Sequence, residues 1–201
     1  MGNMIIGQSG GPTAVINSSL AGAIKAAKIG GVEHIYGMRY GIEGFLQGQV
    51  FYLGEFFSDL YDLSLLKRTP SAFLGSCRYK LPARDKDEAT YQKIFELLEQ
   101  YDIDKFLYIG GNDSMDTIDK LSRWGSAHGS DVRLIGIPKT IDNDLVGTDH
   151  TPGYGSAAKF IATSMREIAR DSSVYDLKSV TFVEIMGRDA GWLAGSACLA
   201  G

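Results

Sequence analysis

A chain of 201 residues that is 44% hydrophobic and 22% charged has the make-up of an ordinary globular protein of one or two domains. Its net charge of -4 gives nucleic acid no general footing and no apolar run reaches membrane-spanning length, so neither is expected as a partner. Cys77 and Cys198 are too few for a disulfide framework and no signal peptide is visible, so a reducing, cytoplasmic location is expected.

In chain order, Met4–Ile6 reads as a short apolar strand. Gly7-Gln8-Ser9-Gly10-Gly11-Pro12-Thr13 follows, then an alanine-rich helix over 14–29 and a second strand over 32–38. Residues 40–58 mix glycine with aromatics and give no clear assignment. Leu60–Lys67 reads as a helix, and 71–84 as a loop carrying Gly75-Ser76-Cys77-Arg78-Tyr79-Lys80. Over 87–100 the spacing of Tyr91, Ile94, Phe95 and Leu98 predicts an amphipathic helix. Lys105–Ile109 is a strand, followed by Gly110-Gly111-Asn112-Asp113-Ser114 and a helix to about Trp124. Val132–Ile137 reads as a buried strand that Pro138 ends.

Thr151-Pro152-Gly153-Tyr154-Gly155 reads as a hinge. A helix over 157–169 is expected to bury Phe160, Ile161, Met165 and Ile168, and Ser179–Met186 is expected to be a strand. Strands alternating with helices argue for α/β architecture, a parallel sheet flanked by helices. Two lobes are expected, 1–153 and 154–201. One strand after the hinge cannot build a sheet, so the chain is expected to be the N-terminal part of a longer protein and inactive alone.

The densest polar cluster is Pro138-Lys139-Thr140-Ile141-Asp142-Asn143-Asp144, at a strand end, where open α/β sheets bind ligands. If the backbone stays extended, Thr140, Asp142 and Asp144 share one face. The alternative is a solvated turn, which Asn143 suits. The glycines after the first strand can bring backbone N–H groups to a phosphate at a helix N-terminus, although a turn needed only for packing would look the same. Neither a Walker A loop nor a dinucleotide fingerprint is present. Gly110–Ser114 repeats the arrangement, with Asn112, Asp113 and Ser114 all competent as caps. Arg78 and Arg188 are potential phosphate forks or solvated surface cations. His34, His128 and His150 are scattered without metal-ligand spacing.

Together these groups describe a phosphoryl-transfer site. G-Q-S-G-G-P-T, L-G-S-C-R-Y, G-G-N-D-S, P-K-T-I-D-N-D and M-G-R-D-A-G-W occur in that order, and the chain resembles the phosphofructokinase family over nearly its whole length, most closely the pyrophosphate-dependent branch. The resemblance implies a Rossmann-like phosphofructokinase fold, a homodimer or homotetramer, Mg²⁺ as cofactor, and transfer of a phosphoryl group from pyrophosphate to fructose 6-phosphate. The first lobe would bind the phosphoryl donor and the second the sugar phosphate. The resemblance also implies residue roles. Gly11, Gly111, Ser114, Arg78 and Tyr79 would hold the donor phosphates, with Arg78 stabilising the group in flight. Thr140, Ile141, Asp142, Met186, Gly187 and Arg188 would bind the sugar phosphate, with Asp142 as general base. Asn112 and Asp144 would organise the metal, although the family more often has an aspartate at the position of Asn112.

ATP-using members typically have glycine at the positions of Asp113 and Lys139. An acid at 113 would oppose the inner phosphate of ATP, and like charges at low effective dielectric cost several kcal/mol, about the scale that decides a donor. Lys139 would neutralise pyrophosphate in the transition state. The rivals are an ATP-dependent enzyme, disfavoured by those two residues, a non-catalytic regulatory subunit, disfavoured by an intact Asp142, and a dinucleotide-binding protein, for which Glu33 is only loosely placed.

Overall fold

The computed structural model describes residues 2–200. The chain divides into two compact units, Met1–Lys139 and Thr140–Gly201. The first holds a five-stranded sheet: β1 (Asn3–Gln8), β2 (Ile35–Met38), β3 (Val50–Tyr52), β4 (Ile103–Gly110) and β5 (Arg133–Pro138), in the order β3-β2-β1-β4-β5. The β1–β2, β1–β4 and β4–β5 pairs are parallel, and β3 runs antiparallel on β2. The sheet is therefore mixed at one edge. The unassigned stretch supplies that edge, together with α2 (Gly41–Leu46) and one 3-10 turn, Leu53–Glu55.

Helices cover both faces. On one, α1 (Ile16–Ile29) and α3 (Leu60–Arg68) bury Leu20, Ile24, Leu63 and Leu66 against Ile6 of β1. On the other, α4 (Glu88–Gln100) and α5 (Asn112–Ala127) bury Tyr91, Ile94, Leu98, Leu121 and Trp124 against Ile5 and Phe106. Ile5 and Ile6 point to opposite cores because successive strand residues alternate. Asp87 caps α4 by accepting from the Thr90 N–H, and Asp59 does the same for α3 from Asp62.

A buried polar network fixes the segment that leads to Arg78. Gln8 and Asn17 are both fully buried. Gln8 Nε2 donates to Asn17 Oδ1 and to the Ile16 carbonyl, and Gln8 Oε1 accepts from the Leu74 N–H at 2.8 Å. Asn17 Oδ1 accepts from the Phe73 N–H, and its amide donates to the Thr69 carbonyl. Two side chains from β1 and α1 thus satisfy three backbone groups of the irregular segment 69–74: the Thr69 carbonyl and the Phe73 and Leu74 N–H groups.

Three expectations fail in this fold. The strand over 132–137 is not buried: β5 is paired on one side by β4, and Ile135 is 51% exposed. The second unit contains α6 (Tyr154–Ser172) and α7 (Trp192–Cys198), but 179–186 forms no strand. An extended segment needs a ladder partner to become a strand, and 179–186 pairs with none among the described residues; Phe182 stands 93% exposed. The stripe of α6 is only half-buried at Ile161, Met165 and Ile168, and Phe160 is exposed.

The division between units falls at Lys139 and Thr140, before the hinge at which the lobes were expected to part. Residues 140–153 close on themselves: the Thr140 N–H donates to the Pro152 carbonyl, Thr151 Oγ1 donates to the Thr140 carbonyl, and Thr140 bridges Gly153.

Asn17→Ala should destabilise the protein by about 1–3 kcal/mol, since it removes the bonds to the Phe73 N–H and the Thr69 carbonyl and takes one of the two acceptors from the buried Gln8 amide. Urea unfolding reads this directly, and a change below about 0.5 kcal/mol would contradict the role given to the network.

Candidate active site

In the β3-β2-β1-β4-β5 order the chain winds outward in opposite directions from β1 and β4. A crevice opens beyond the carboxyl ends of strands at such a switch point. The turns leaving β1 and β4 are the two glycine-rich stretches, and each ends in a helix.

The two glycines of each pair do different work. Gly10 has φ +77, and a Cβ there would sit 3.2 Å from Lys139 Nζ. A Cβ at Gly110 would strike the Ser114 hydroxyl. These first glycines are required by the fold. A Cβ at Gly11 would meet nothing within 4 Å, and one at Gly111 only the Lys139 carbonyl at 3.6 Å. The second glycine of each pair therefore borders open space and is not explained by packing, which favours approach of a ligand to the backbone. Gly111 is the N-cap of α5, whose first-turn N–H groups suit an anion. Ser114 is buried beneath the second turn, 2% exposed.

Lys139 joins the two turns. Its N–H extends the β4–β5 ladder by donating to the Gly110 carbonyl, and Nζ donates to the Gly11 carbonyl at 2.6 Å. The residue is only 3% exposed. A desolvated ammonium beside the first turn interacts with phosphate far more strongly than one in water.

The loop carrying Arg78 is laced to the same turn. The Gly10 N–H donates to the Cys77 carbonyl at 3.0 Å, Ser9 Oγ donates to the same carbonyl, and Ser76 Oγ donates to the Gly10 carbonyl. Beneath them Cys77 Sγ lies 3.5 Å from the Tyr108 hydroxyl, which accepts from the Ile42 N–H. Burial, reinforced by the neighbouring Cys77 thiol, pushes the Tyr108 pKa well up, so this hydroxyl stays protonated. Above the anchor the Arg78 side chain is exposed, and Tyr79 packs half-buried on the core beneath α4 and α5. Asp113, in the first turn of α5, forms an ion pair with Lys80 at 3.2 Å. Such an exposed pair contributes about 0–1 kcal/mol.

In the second unit the extended alternation of Thr140, Asp142 and Asp144 does not hold. Asn143 adopts φ 57, and its side chain closes a turn, donating to the Asp149 carbonyl and accepting from the Thr151 N–H. The Asx turn is what the backbone adopts, with the acids carried on it. Asp142 is half-buried, its N–H donating to Thr140 Oγ1 at 3.1 Å, with Ile141 half-buried beside it. Met186, Gly187 and Arg188 do not end a strand. They enter a tight turn closed by the Ala190 N–H on the Gly187 carbonyl, with Gly187 buried and Arg188 exposed at φ 47.

No three His, Cys, Asp or Glu residues converge as a metal cluster among the described residues. An amide oxygen such as that of Asn112, or a carboxylate such as that of Asp144, is of the hard-oxygen type that Mg²⁺ accepts beside phosphate and water. Sequence reasoning overlooked Lys80 as a partner of Asp113. It also overlooked Thr13, whose Oγ1 is buried at the end of the first turn without a hydrogen-bond partner among the described residues.

Comparison with known proteins agrees with this geometry. The family model described as phosphofructokinase matches residues 3–201. A pyrophosphate--fructose 6-phosphate 1-phosphotransferase of Xanthomonas campestris is 45% identical, covering 100% of this chain and 48% of its own length. The crystal structure of a pyrophosphate-dependent phosphofructokinase from Nitrosospira multiformis superposes with a TM-score of 0.90 at 42% identity, covering 98% of this chain and 49% of that one. An ATP-dependent 6-phosphofructokinase of Pectobacterium carotovorum is 32% identical, covering 96% of this chain and 55% of its own. The chain thus spans about half the length of the curated relatives it matches. With its motifs, sheet order and family match in agreement, the chain belongs to the phosphofructokinase family.

Proposed function

We propose that the protein carrying this chain transfers a phosphoryl group reversibly from pyrophosphate to fructose 6-phosphate, giving fructose 1,6-bisphosphate and phosphate. The observation that carries the reading is the buried Lys139 ammonium on the Gly11 carbonyl, beside two glycines that packing does not require. The higher identity to pyrophosphate-using relatives than to ATP-using ones points the same way.

Phosphoryl transfer depends on positioning and charge neutralisation more than on covalent chemistry. Backbone N–H groups at Gly11 and Gly111 would receive the donor phosphates, and Lys139 and Arg78 would neutralise charge on the group in flight. Asp142 would take the proton from the sugar hydroxyl, as a carboxylate in hydrogen-bond reach can. Thr140, Ile141, Met186, Gly187 and Arg188 would hold the sugar phosphate, making the second unit part of a sugar-phosphate lobe. Mg²⁺ would be held chiefly by donor phosphates and water, with Asn112 and Asp144 supplying protein oxygens; when bound it neutralises phosphate charge. A cytoplasmic location and a homodimer or homotetramer belong to the same reading. No helix of the described residues is long and apolar enough to cross a membrane.

The test is a coupled assay of the full-length protein with each donor. Pyrophosphate should support turnover with a kcat/KM at least about a hundredfold above that of ATP, a difference near 2.7 kcal/mol. A preference for ATP would overturn the donor assignment.

Asp142→Asn should lower kcat by roughly 10²–10⁴ while circular dichroism and melting stay unchanged. Turnover within threefold of the parent would remove Asp142 from the role of base.

A further inference from the structure

We propose that Tyr108 is a positioning residue for the phosphoryl-transfer site: from beneath the Arg78 loop its hydroxyl links Cys77 to the start of α2, and so fixes where Arg78 is carried. The inference rests on the pyrophosphate reading above and adds to it a buried residue that the substrates do not reach.

β2, β1 and β4 lie side by side, with Met38 opposite Gly7 and Gly7 opposite Tyr108. A Cβ at Gly7 would lie 2.8 Å from two carbons of the Tyr108 ring and 2.9 Å from Met38 Sδ. The ring of a β4 residue thus lies across β1, in the space a side chain at position 7 would take. Gly7 has no positive φ, so the first glycine of the G-Q-S-G-G-P-T run makes room for this ring and does not serve a turn. At the far end of the ring Gly41 gives way too, its Cβ position being 2.7 Å from the hydroxyl. Two glycines, from β1 and α2, clear a slot for one tyrosine that is 1% exposed.

A phenylalanine would fill the slot as well. The hydroxyl adds contacts to two separate segments. It accepts from the Ile42 N–H at 3.3 Å, a group in the first turn of α2, where no helix carbonyl is in reach. It also lies 3.5 Å from Cys77 Sγ, and burial keeps it protonated, so its O–H can donate to the sulfur. Cys77 is held from above as well, its carbonyl accepting from the Gly10 N–H, and Arg78 is the next residue. The Arg78 side chain is exposed, so its placement comes from the backbone that carries it. A shift of about 1 Å in a group that meets the transferring phosphoryl costs on the order of a hundredfold in rate, so a hydroxyl remote from the substrates still acts on turnover.

The experiment compares Tyr108→Phe with the parent in the full-length protein, by amide hydrogen exchange and by turnover with pyrophosphate. Exchange at the Ile42 and Gly10 N–H groups should quicken about three- to tenfold, the scale of one lost neutral hydrogen bond, while exchange at Ile24 in α1 stays as it was. kcat should fall about tenfold, with the KM for fructose 6-phosphate unchanged within about twofold. In an Arg78→Lys background, adding Tyr108→Phe should cost less than about twofold, because the side chain whose placement it disturbs is already lost. A tyrosine that served stability alone would lower turnover by the same factor in both backgrounds. Cys77→Ala, which leaves the ring and the Ile42 bond in place, should show the same dependence on Arg78 through the loop alone. Unchanged exchange at Gly10 and Ile42, or an equal loss of kcat in both backgrounds, overturns the proposal. A parent protein that does not turn over pyrophosphate overturns the donor reading instead, and the exchange measurement is independent of it.

Discussion

The hydrogen bond from the Lys139 ammonium to the Gly11 carbonyl is the constraint on which the candidate site depends. Lys139 follows directly on β5, and its own N–H continues the ladder to Gly110 at the end of β4. A single residue therefore fixes the ends of β4 and β5 to the turn leaving β1. Glycine at position 10 is required by its φ of +77, and a Cβ there would also come within 3.2 Å of Nζ. A buried ammonium is costly to desolvate, and folds retain one where its charge meets a partner or a ligand. The open second glycine beside it leaves room for an anion to reach the turn.

The rest of the first unit supports this arrangement. The Gln8–Asn17 pair holds three backbone groups of 69–74, and the Ser9, Ser76 and Cys77 contacts tie the Arg78 loop to the first turn. Gly41 has φ +59, and a Cβ there would lie 2.7 Å from both Cys77 Sγ and the Tyr108 hydroxyl. Packing and polar satisfaction thus converge beneath the loop, while Arg78 above it stays in solvent. The division of labour matches what phosphoryl transfer asks of a protein: a stiff base and charged groups within reach of the donor.

Much of this was legible in the sequence. The helical spacing of Tyr91, Ile94 and Leu98 marks a face that is buried, and the strand-glycine-helix runs mark both turns. The illegible parts have physical causes. An apolar run such as 132–137 reports a preference for burial but not whether neighbours cover it, so β5 was expected to be buried when it lies at an edge. Residues 179–186 have strand composition without a ladder partner. The alternation expected over 140–144 was lost to local chemistry, since Asn143 tolerates a left-handed backbone and bonds its own turn. The roles of Gly10 and Gly11 are indistinguishable as letters and separate only once the surrounding atoms are placed. Lys80 was visible in the R-Y-K run, but its pairing with Asp113 joins segments far apart in sequence.

The most direct test of the central claim is a crystal structure of the full-length protein with imidodiphosphate, a pyrophosphate analogue that resists hydrolysis. The account predicts phosphate oxygens on the backbone N–H groups of Gly11 and Gly111, and Lys139 Nζ turned from the Gly11 carbonyl to a phosphate oxygen. An analogue bound elsewhere, with the ammonium still held by that carbonyl, would contradict it.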